Sequence, residues 1–531
     1  MSFTNTSGFP TANLKQGATV STIGLYHYPA TITDASTTWE VASFGPGPGF
    51  TSRTTGAVVN RFANGAGNRE QMVFFISWAS EWSSTSTFLQ HGWIHWVTRG
   101  LYAGFRRIYF NTQIDDVHLV TYLYEPAGGE YRSTVTDLQD HVTWMADLNS
   151  RLPSGSNYIV ELAHNGNGNI QAATEFGWAN NLNTCPDENF ILYDEQASTP
   201  TEFKKPLGTG VDIWPTSPAR FSSTLACMRQ DTLLTWLNVP ANRDKYAHMS
   251  HTFTHKALNN ATYSDTNKEI TFNQAWFAAT GLDKASVWSP HGLVPPAITG
   301  MHNGDAIKAF LDNGIKYVVG DNTRPVLRNP ESPYWALTST VERNGYSGLT
   351  IMPRWATTIY FNCDLPQCTL NEWIATSGGS GDFNNLLADA RRVNAMHLLN
   401  LHQDPFMFHQ ANLRTDLAPY AVNGKTGRWS ILMAWVEVVL DEMTRLTSWP
   451  IITKKHDAVT EEFIAREARD KCGYKLDYRY GPGGTTIAGV TVSANGNTCS
   501  VPIPVTFPGP VTSTNGGRAE QVSFLKRCHS L

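Results

Sequence analysis

The sequence is poor in charged residues, and its charges are nearly balanced in sign. Only 16% of the 531 side chains are charged, and the formal net charge is −5. Nucleic-acid-binding domains carry a clear excess of positive charge, and disordered or coiled-coil chains are richer in charge and poorer in aromatics. No apolar run approaches the roughly 18 residues that a membrane helix needs. These absences argue against a nucleic-acid partner, a membrane span and a disordered chain.

Aromatic residues, glycine and proline are abundant instead. The chain contains 17 Trp, 19 Tyr and 25 Phe, together with 42 Gly and 28 Pro, as expected of a loop-rich globular protein. Flat aromatic rings can pack on the C–H faces of sugars, which makes the composition suitable for carbohydrate binding. Taken alone, the composition suits any large β-containing domain equally well.

The cysteine pattern indicates an oxidising compartment. None of the seven cysteines forms a CxxC pair, which argues against a zinc ribbon. Cys363 and Cys368 flank a short loop that a disulfide could close. Cys472, Cys499 and Cys528 fall in a Gly/Thr/Ser-rich tail, where we expect another disulfide, and the odd count leaves at least one thiol free or paired outside the chain. The pattern predicts an extracellular protein.

The hydrophobic pattern divides the chain into three parts. Residues 1–104 read as a β-rich segment, residues 105–455 alternate short apolar strands with amphipathic helices, and residues 456–531 read as a helix followed by a β-rich segment. Seven strands in repeated βα order favour an α/β fold, a distorted (β/α)7-type barrel with β-rich N- and C-terminal segments. The predicted barrel strands are residues 108–110, 158–162, 245–248, 285–288, 316–319, 349–352 and 396–401.

Polar residues follow each of these strands directly. The carboxyl ends of the strands of a βα barrel open at one mouth, so the sequence predicts that these side chains converge there. In chain order they include Asp115 and Asp116, Asn165, His251 and His255, His291, Asp321 and Arg324, Arg354, and His402.

Each of these motifs has an ordinary structural explanation when taken singly. Asp115 and Asp116 also fit a solvated loop or a helix N-cap. His251 and His255 are spaced for one first-row metal ion, but they also fit a Ser/Thr-rich surface turn. A histidine such as His402, after an apolar strand, is often a packed core residue. Together they make one hydrolytic set, with a metal-activated water, a carboxylate base and a histidine acid.

Three of these segments carry a resemblance to a known family. Residues 111–116, Asn-Thr-Gln-Ile-Asp-Asp, resemble the first motif of polysaccharide deacetylases, usually Thr-Phe-Asp-Asp. Residues 251–255, His-Thr-Phe-Thr-His, resemble the second motif, His-Ser/Thr-x-x-His. The leucine-rich segment that ends at His402 resembles the last motif, an aliphatic strand followed by histidine. With its flanking β segments, the chain resembles the fungal exopolysaccharide deacetylases that act on galactosaminogalactan, carbohydrate esterase family 18.

The resemblance implies a deacetylase barrel and a role for each motif residue. Asp115 would be the general base and His402 the general acid. Asp116, His251 and His255 would hold one divalent metal ion, with zinc as the first choice. The implied reaction is metal-assisted hydrolysis of the acetamide of N-acetylhexosamine units, in particular N-acetylgalactosamine, in an extracellular fungal polysaccharide, which releases acetate.

The chain departs from the family pattern at the third motif. An Arg-Pro-Pro-Tyr type sequence is expected there, but residues 289–292 read Ser-Pro-His-Gly. The arginine that normally holds the catalytic aspartate is therefore missing, and Arg324 or Arg354 could replace it from another strand. The residues expected to bind substrate are His291, Asp321, Arg324, Arg354, Trp288 and Asn165.

Two other functions remain open from the residues alone. An inverting glycoside hydrolase could pair Asp115 with a second carboxylate such as Asp321 or Asp404, and it would release reducing ends without a strict need for metal. A non-catalytic carbohydrate-binding protein would bind glycan and release nothing. The expected partner is an acetylated amino-sugar polysaccharide, with no nucleic acid and no membrane span. The expected location is secreted and associated with the cell wall.

Overall fold

An antiparallel sheet and one helix make up the N-terminal part of the chain. In the computed structural model, which describes residues 1–62, 69–182, 185, 190–193, 199–200, 202–494 and 499–509, the four strands pair in chain order. The helix begins after Ser83, whose side chain accepts a hydrogen bond from the backbone N–H of Ser86 and so satisfies one free helical donor. These elements are β1 (Ser2–Phe3), β2 (Thr38–Phe44), β3 (Thr54–Arg61), β4 (Glu70–Phe74) and α1 (Ser84–Val97).

The middle of the chain alternates strands and helices, as the hydrophobic pattern predicts. Its first half contains β5 (Tyr102–Ala103), β6 (Ile108–Tyr109), β7 (Thr112–Val117), β8 (Thr121–Tyr122), β9 (Glu130–Tyr131), α2 (Val135–Arg151), β10 (Val160–His164), α3 (Gly166–Ala179), α4 (Leu225–Met228), α5 (Thr232–Leu237), α6 (Pro240–Arg243), β11 (Ala247–Ser250) and α7 (Tyr263–Thr280). Its second half contains β12 (Trp288–Leu293), α8 (Gly304–Asp312), β13 (Tyr317–Val319), β14 (Leu337–Thr338), α9 (Val341–Asn344), β15 (Thr350–Met352), α10 (Pro366–Ser377), α11 (Phe383–Leu399), β16 (Phe406–His409), β17 (Tyr420–Val422), β18 (Lys425–Gly427), α12 (Ile431–Leu446) and β19 (Ile451–Ile452).

Eight of these strands form one curled sheet. Its order is β14-β15-β13-β12-β11-β10-β7-β16, and every pair is parallel except β14 with β15. Beyond the end of β15, Trp355 forms a parallel bridge with Phe406 of β16, which brings the two sides of the sheet together. The predicted α/β fold with a distorted barrel is therefore confirmed, and the carboxyl ends of the parallel strands share one rim.

The last predicted barrel strand is wrong. Residues 396–401 complete helix α11, and the strand that pairs with β7 lies further along, at β16. Leu386, Leu387, Ala390 and Leu398 of α11 are all buried, so its apolar spacing continues to the end of the helix. A short apolar run such as Leu398-Leu399 fits a buried helix end as well as a strand, and periodicity alone does not separate the two.

One hydrophobic core connects the N-terminal part with the barrel. It extends from Phe3 and Phe88 to Phe110 and Trp435. Helix α1 packs on α11, and the ring of His91 is hydrogen-bonded to the Leu399 carbonyl at 2.8 Å. Within the part of the chain that the structure describes, no helix combines the length and apolarity needed to cross a membrane.

The C-terminal part of the chain follows the barrel, and its last strand lies beside the segment that precedes the barrel. Helix α13 (His456–Lys471) is followed by a hairpin of β20 (Tyr474–Tyr480) and β21 (Ile487–Ala494). The final strand, β22 (Val505–Thr506), pairs with β5 just before the barrel begins.

Three disulfides join described cysteines: Cys185–Cys227, Cys363–Cys368 and Cys472–Cys499. The predicted bridge between Cys363 and Cys368 is confirmed, and so is a bridge in the tail. Cys528 lies outside the described residues. Disulfides of this number fit a protein that folds in an oxidising compartment.

We expect the Cys185–Cys227 bridge to stabilise the barrel more than the Cys363–Cys368 bridge. The first spans 42 residues of sequence and the second only 5, so the first removes more entropy from the unfolded chain. Replacing both cysteines by alanine should cost roughly 4 kcal/mol at the long loop and roughly 2 kcal/mol at the short loop. Non-reducing thermal unfolding of the two double variants measures the difference. A larger loss at the short loop would contradict the entropic explanation.

Candidate active site and metal centre

The two adjacent carboxylates lie inside strand β7, where a backbone irregularity changes their directions. Neighbouring side chains on a regular strand point to opposite faces of the sheet. Asp116, however, has a φ of 64°, and the register between β7 and β10 shifts between Leu162 and His164. Because of this break in the pleat, the side chains of Asp115 and Asp116 can both reach one site, where they lie in adjoining parts.

The two histidines of the second motif lie on a tight loop after β11. Thr252 and His255 have φ values of 66° and 69°, so the loop is not helical. Glu269 of α7 accepts hydrogen bonds from the backbone N–H groups of Phe253 at 2.9 Å and Thr254 at 2.8 Å. Burial raises the pKa of Glu269 to about 7, against the opposing effect of these hydrogen bonds. Glu269, which holds the loop in place, was not among the residues predicted from the sequence.

Asn165 supports the same loop from the other side. Its Nδ2 donates to the carbonyl oxygens of His251 and of Thr252, the latter at 3.1 Å. The Asn165 side chain is fully buried. That Asn165 contacts substrate therefore stays a prediction, and in the structure its amide positions the histidine loop.

Asp116, His251 and His255 converge on one point. The Nε2 atoms of both histidines lie 3.2 Å from Asp116 Oδ1. His251 Nδ1 is 2.8 Å from the carbonyl oxygen of Val294, which only an N–H can satisfy, so the Nε2 lone pair faces Asp116. Two imidazole nitrogens and one carboxylate oxygen form the donor set that a zinc-type ion prefers. These residues fit a divalent metal ion.

The pKa values of Asp116 and His255 are shifted by different causes. Burial raises the pKa of Asp116, but the neighbouring histidines outweigh this and hold it well below its usual value. Burial lowers the pKa of His255 to about 4 in spite of Asp116. A neutral imidazole next to an ionised carboxylate is the protonation state that metal binding requires.

Asp115 is held by Arg354, the residue that follows β15 by two positions. Both terminal nitrogens of the guanidinium donate to the two carboxylate oxygens at 2.7 Å, and one also lies 3.3 Å from the Gln113 carbonyl. Burial raises the pKa of Asp115, but the charges of Arg354 and His251 outweigh it and keep the pKa below its usual value. Of the two arginines proposed from the sequence, the structure brings Arg354 to Asp115. Arg324 instead lies 3.7 Å from Asp321.

His409 also lies beside Asp115, and it was not among the residues predicted from the sequence. Strand β16 pairs with β7 in a register that sets His409 opposite Asp115, and its Nε2 lies 3.7 Å from Asp115 Oδ2. Burial lowers the pKa of His409. The sequence signal was present, because Phe406-Met407-Phe408-His409 is itself an apolar strand followed by a histidine.

His402 is not brought to this site, contrary to the prediction. It follows α11, and its ring stacks on His397 with centroids 4.3 Å apart and on Tyr334 at 4.4 Å. His402 Nδ1 is 3.6 Å from Asp404. The placement failed because the apolar run before His402 ends a helix, whereas the run before His409 is the strand beside Asp115.

The remaining predicted substrate residues are engaged elsewhere. Trp288 begins β12, pairs in register with His248 and contacts the ring of Phe277. His291 precedes the carboxyl end of β12, and its ring is hydrogen-bonded to the Gly314 carbonyl at 2.9 Å. Asp321 accepts hydrogen bonds from the backbone and hydroxyl of Thr323. Sequence position after a strand did not distinguish these residues from those of the site.

Comparison with known proteins identifies the family. The profile described as the Agd3 deacetylase domain matches residues 110–477, that of Agd3 CBM87 matches residues 1–96, and that of the Agd3 C-terminal domain matches residues 478–523. No curated protein sequence gives a significant match. A crystal structure described as Agd3, a novel carbohydrate deacetylase, superposes with a TM-score of 0.92 at 52% identity, covering 97% of this chain and 76% of that one. The chain therefore belongs to the Agd3 family of carbohydrate deacetylases, and it is a hydrolase that carries a deacetylase domain and a carbohydrate-binding module.

Proposed function

We propose that this protein is a metal-dependent N-deacetylase of an extracellular polysaccharide. It removes acetyl groups from N-acetylhexosamine units, in particular N-acetylgalactosamine, and releases acetate and a free amine. The observation that carries the proposal is the convergence of Asp116, His251 and His255 beside an Asp115 that Arg354 holds in place. The protein acts outside the cell, in contact with the cell wall. The sugar identity rests on the motif resemblance.

Asp116, His251 and His255 would hold a zinc-class divalent ion. When bound, such an ion supplies Lewis acidity that polarises an acetyl carbonyl and lowers the pKa of water. His255 has 30% of its side chain exposed, whereas His251 has 2%, so the site is reached from the His255 side.

Asp115 is the general base. Its carboxylate is ionised, because the bidentate contact with Arg354 stabilises the negative charge, and it can accept a proton from an attacking water. Arg354 also fixes the plane of the carboxylate, so that the orientation of the accepting oxygens does not depend on bound substrate.

His409 is the general acid. It lies opposite Asp115 on the neighbouring strand, and its Nε2 is 3.7 Å from the Asp115 carboxylate. An amine is a poor leaving group, so the nitrogen of the sugar must gain a proton as the C–N bond breaks. His409 therefore replaces His402, the residue predicted from the sequence, as the general acid.

Exposed aromatic rings provide surfaces for sugar residues. Phe361 is 54% exposed, and its ring lies 5.8 Å from that of His409, next to the proposed reaction centre. Tyr26, Trp78 and Trp82 are exposed on the N-terminal part, within the range that matches the carbohydrate-binding module. Such rings pack on sugar C–H faces, so the polymer can contact both parts of the chain.

We expect Asp115→Asn and His255→Ala each to nearly abolish acetate release while the fold survives. Loss of a general base costs about 10²–10⁴-fold in rate, and loss of His255 removes a ligand of the ion. The assay measures free acetate and new reducing ends from the acetylated polymer, with and without a chelator. Asp147→Asn, which changes an exposed carboxylate on α2, is the matched control. Chelator-insensitive acetate release, or reducing ends in place of acetate, would overturn the proposal.

We expect His409→Ala to reduce amide hydrolysis much more than His402→Ala does. A missing general acid should cost about 10²–10⁴-fold on the polymer but less on an activated aryl acetate, whose phenolate leaves without a proton. Steady-state rates of both variants on both substrates separate the roles. Equal losses on amide and ester, or a larger loss in His402→Ala, would rule out His409 as the acid.

We expect a preference for N-acetylgalactosamine polymers. A site that hydrogen-bonds a particular hydroxyl discriminates against its epimer, so kcat/KM should be roughly tenfold or more higher on acetylated galactosaminogalactan than on chitin oligomers. Acetate release from the two substrates at matched acetyl concentration is the measurement. Equal values would refute the sugar assignment and leave the reaction chemistry standing.

A further inference from the structure

Phe361 is an exposed aromatic residue at the edge of the proposed active site. It is 54% exposed, and its ring centroid lies 5.8 Å from that of His409, whose Nε2 is 3.7 Å from the Asp115 carboxylate. The exposed fraction of the side chain falls to 16% at His409 and to 5% at Asp115. Phe361 therefore lies on the solvent side of His409.

The backbone on both sides of Phe361 is tied to His409 through one amide, that of Asn412. Asn412 Nδ2 donates to the carbonyl oxygens of Tyr360 at 2.9 Å and of Cys363 at 2.8 Å. Its Oδ1 accepts a hydrogen bond from the backbone N–H of His409 at 2.9 Å. The Asn412 side chain is fully buried, so water does not compete for these bonds. The position of Phe361 relative to His409 is thus determined by the fold.

Two further contacts hold the same loop. The backbone N–H of Tyr124 donates to the carbonyl oxygen of Asn362 at 2.9 Å. The disulfide between Cys363 and Cys368 closes the segment that follows. A ring held in this way loses little conformational freedom when a ligand packs on it, which lowers the entropic cost of binding.

The chemistry of the proposed reaction places the sugar on the same side of His409. The general acid must reach the nitrogen that leaves with the sugar. That nitrogen is bonded directly to a carbon of the pyranose ring, so the ring lies close to His409 as well. Asp115 is more deeply buried than His409, so the bulky sugar lies toward solvent, where Phe361 is.

We propose that Phe361 determines specificity for the sugar, with a C–H face of the pyranose ring of the reacting unit packed on its exposed face. This inference rests on the proposed function, because it takes His409 as the group that protonates the leaving nitrogen. The packing contact is the same in the bound substrate and in the transition state, so it strengthens binding without changing the rate of the bound complex. A small acetyl compound without a pyranose ring gains nothing from Phe361.

The test separates binding from turnover. We expect Phe361→Ala to raise the KM for an acetylated galactosamine oligomer by about 3–10-fold, the range that one aromatic contact provides, with kcat nearly unchanged. The KM for an aryl acetate, which has no pyranose ring, should stay at the wild-type value. Initial rates of acetate release over a range of concentrations of each substrate measure both constants.

Conservative variants and a matched control identify the flat ring as the cause. Phe361→Tyr keeps the flat face and should keep the oligomer KM close to that of the wild type. Phe361→Leu keeps an apolar side chain without a flat ring, and we expect its KM to rise as in Phe361→Ala. Tyr480→Ala removes a ring that is 61% exposed on the C-terminal hairpin, far along the chain from the barrel, and should change neither constant. Thermal unfolding of each variant checks that the fold is intact.

Four outcomes would count against the inference. An unchanged oligomer KM in Phe361→Ala would overturn it. So would a lower kcat at an unchanged KM, because Phe361 would then act through His409, and so would an equal loss on the aryl acetate, which contains no sugar. Each of these three results leaves the deacetylase reaction standing. Wild-type protein that releases no acetate from the oligomer would contradict the proposed function itself, and this inference with it.

Discussion

The buried ion pair between Arg354 and Asp115 is the contact on which the rest of the site depends. It is bidentate, with two distances of 2.7 Å, and both side chains are almost completely removed from water. Losing one partner of such a pair costs about 3–5 kcal/mol, because the other charge is left buried and alone. The pair also joins the two sides of the barrel, since Arg354 follows β15 and Asp115 lies on β7 beside β16. The contact that closes the sheet therefore also orients the Asp115 carboxylate.

Strained backbone around Asp116, His251 and His255 is held by groups outside this cluster. Asp116, Thr252 and His255 all have positive φ, which costs of order 1–3 kcal/mol for each non-glycine residue. Glu269 and Asn165 compensate through hydrogen bonds to the loop that carries the histidines. The three side chains therefore converge because the barrel determines the loop, and a segment with the same residues would not adopt this conformation alone.

Much of the fold was predictable from periodicity, and the main error was the position of the last barrel strand. Alternating strands and helices identified the parallel barrel, because the two periods are distinct over segments of this length. The run at Leu398-Leu399 was ambiguous, and reading it as a strand put His402 at the strand end beside Asp115, a position that His409 occupies. Asn165 was ambiguous for another reason: an amide beside a strand end can hydrogen-bond to backbone as readily as to substrate, and the sequence alone does not distinguish the two.

The chemical types at the site are already visible in the linear sequence: an adjacent pair of aspartates, two histidines four residues apart and a low-charge, aromatic-rich chain suited to sugars. Those features are local, so a linear pattern contains them. It is the fold that brings Arg354, 239 residues from Asp115, to the position left by the missing arginine of the third motif. It also decided that His409 lies beside that aspartate, while His402 joins a separate cluster. Such pairings follow from strand register and sheet closure, which bring together residues whose separation along the chain carries no signal.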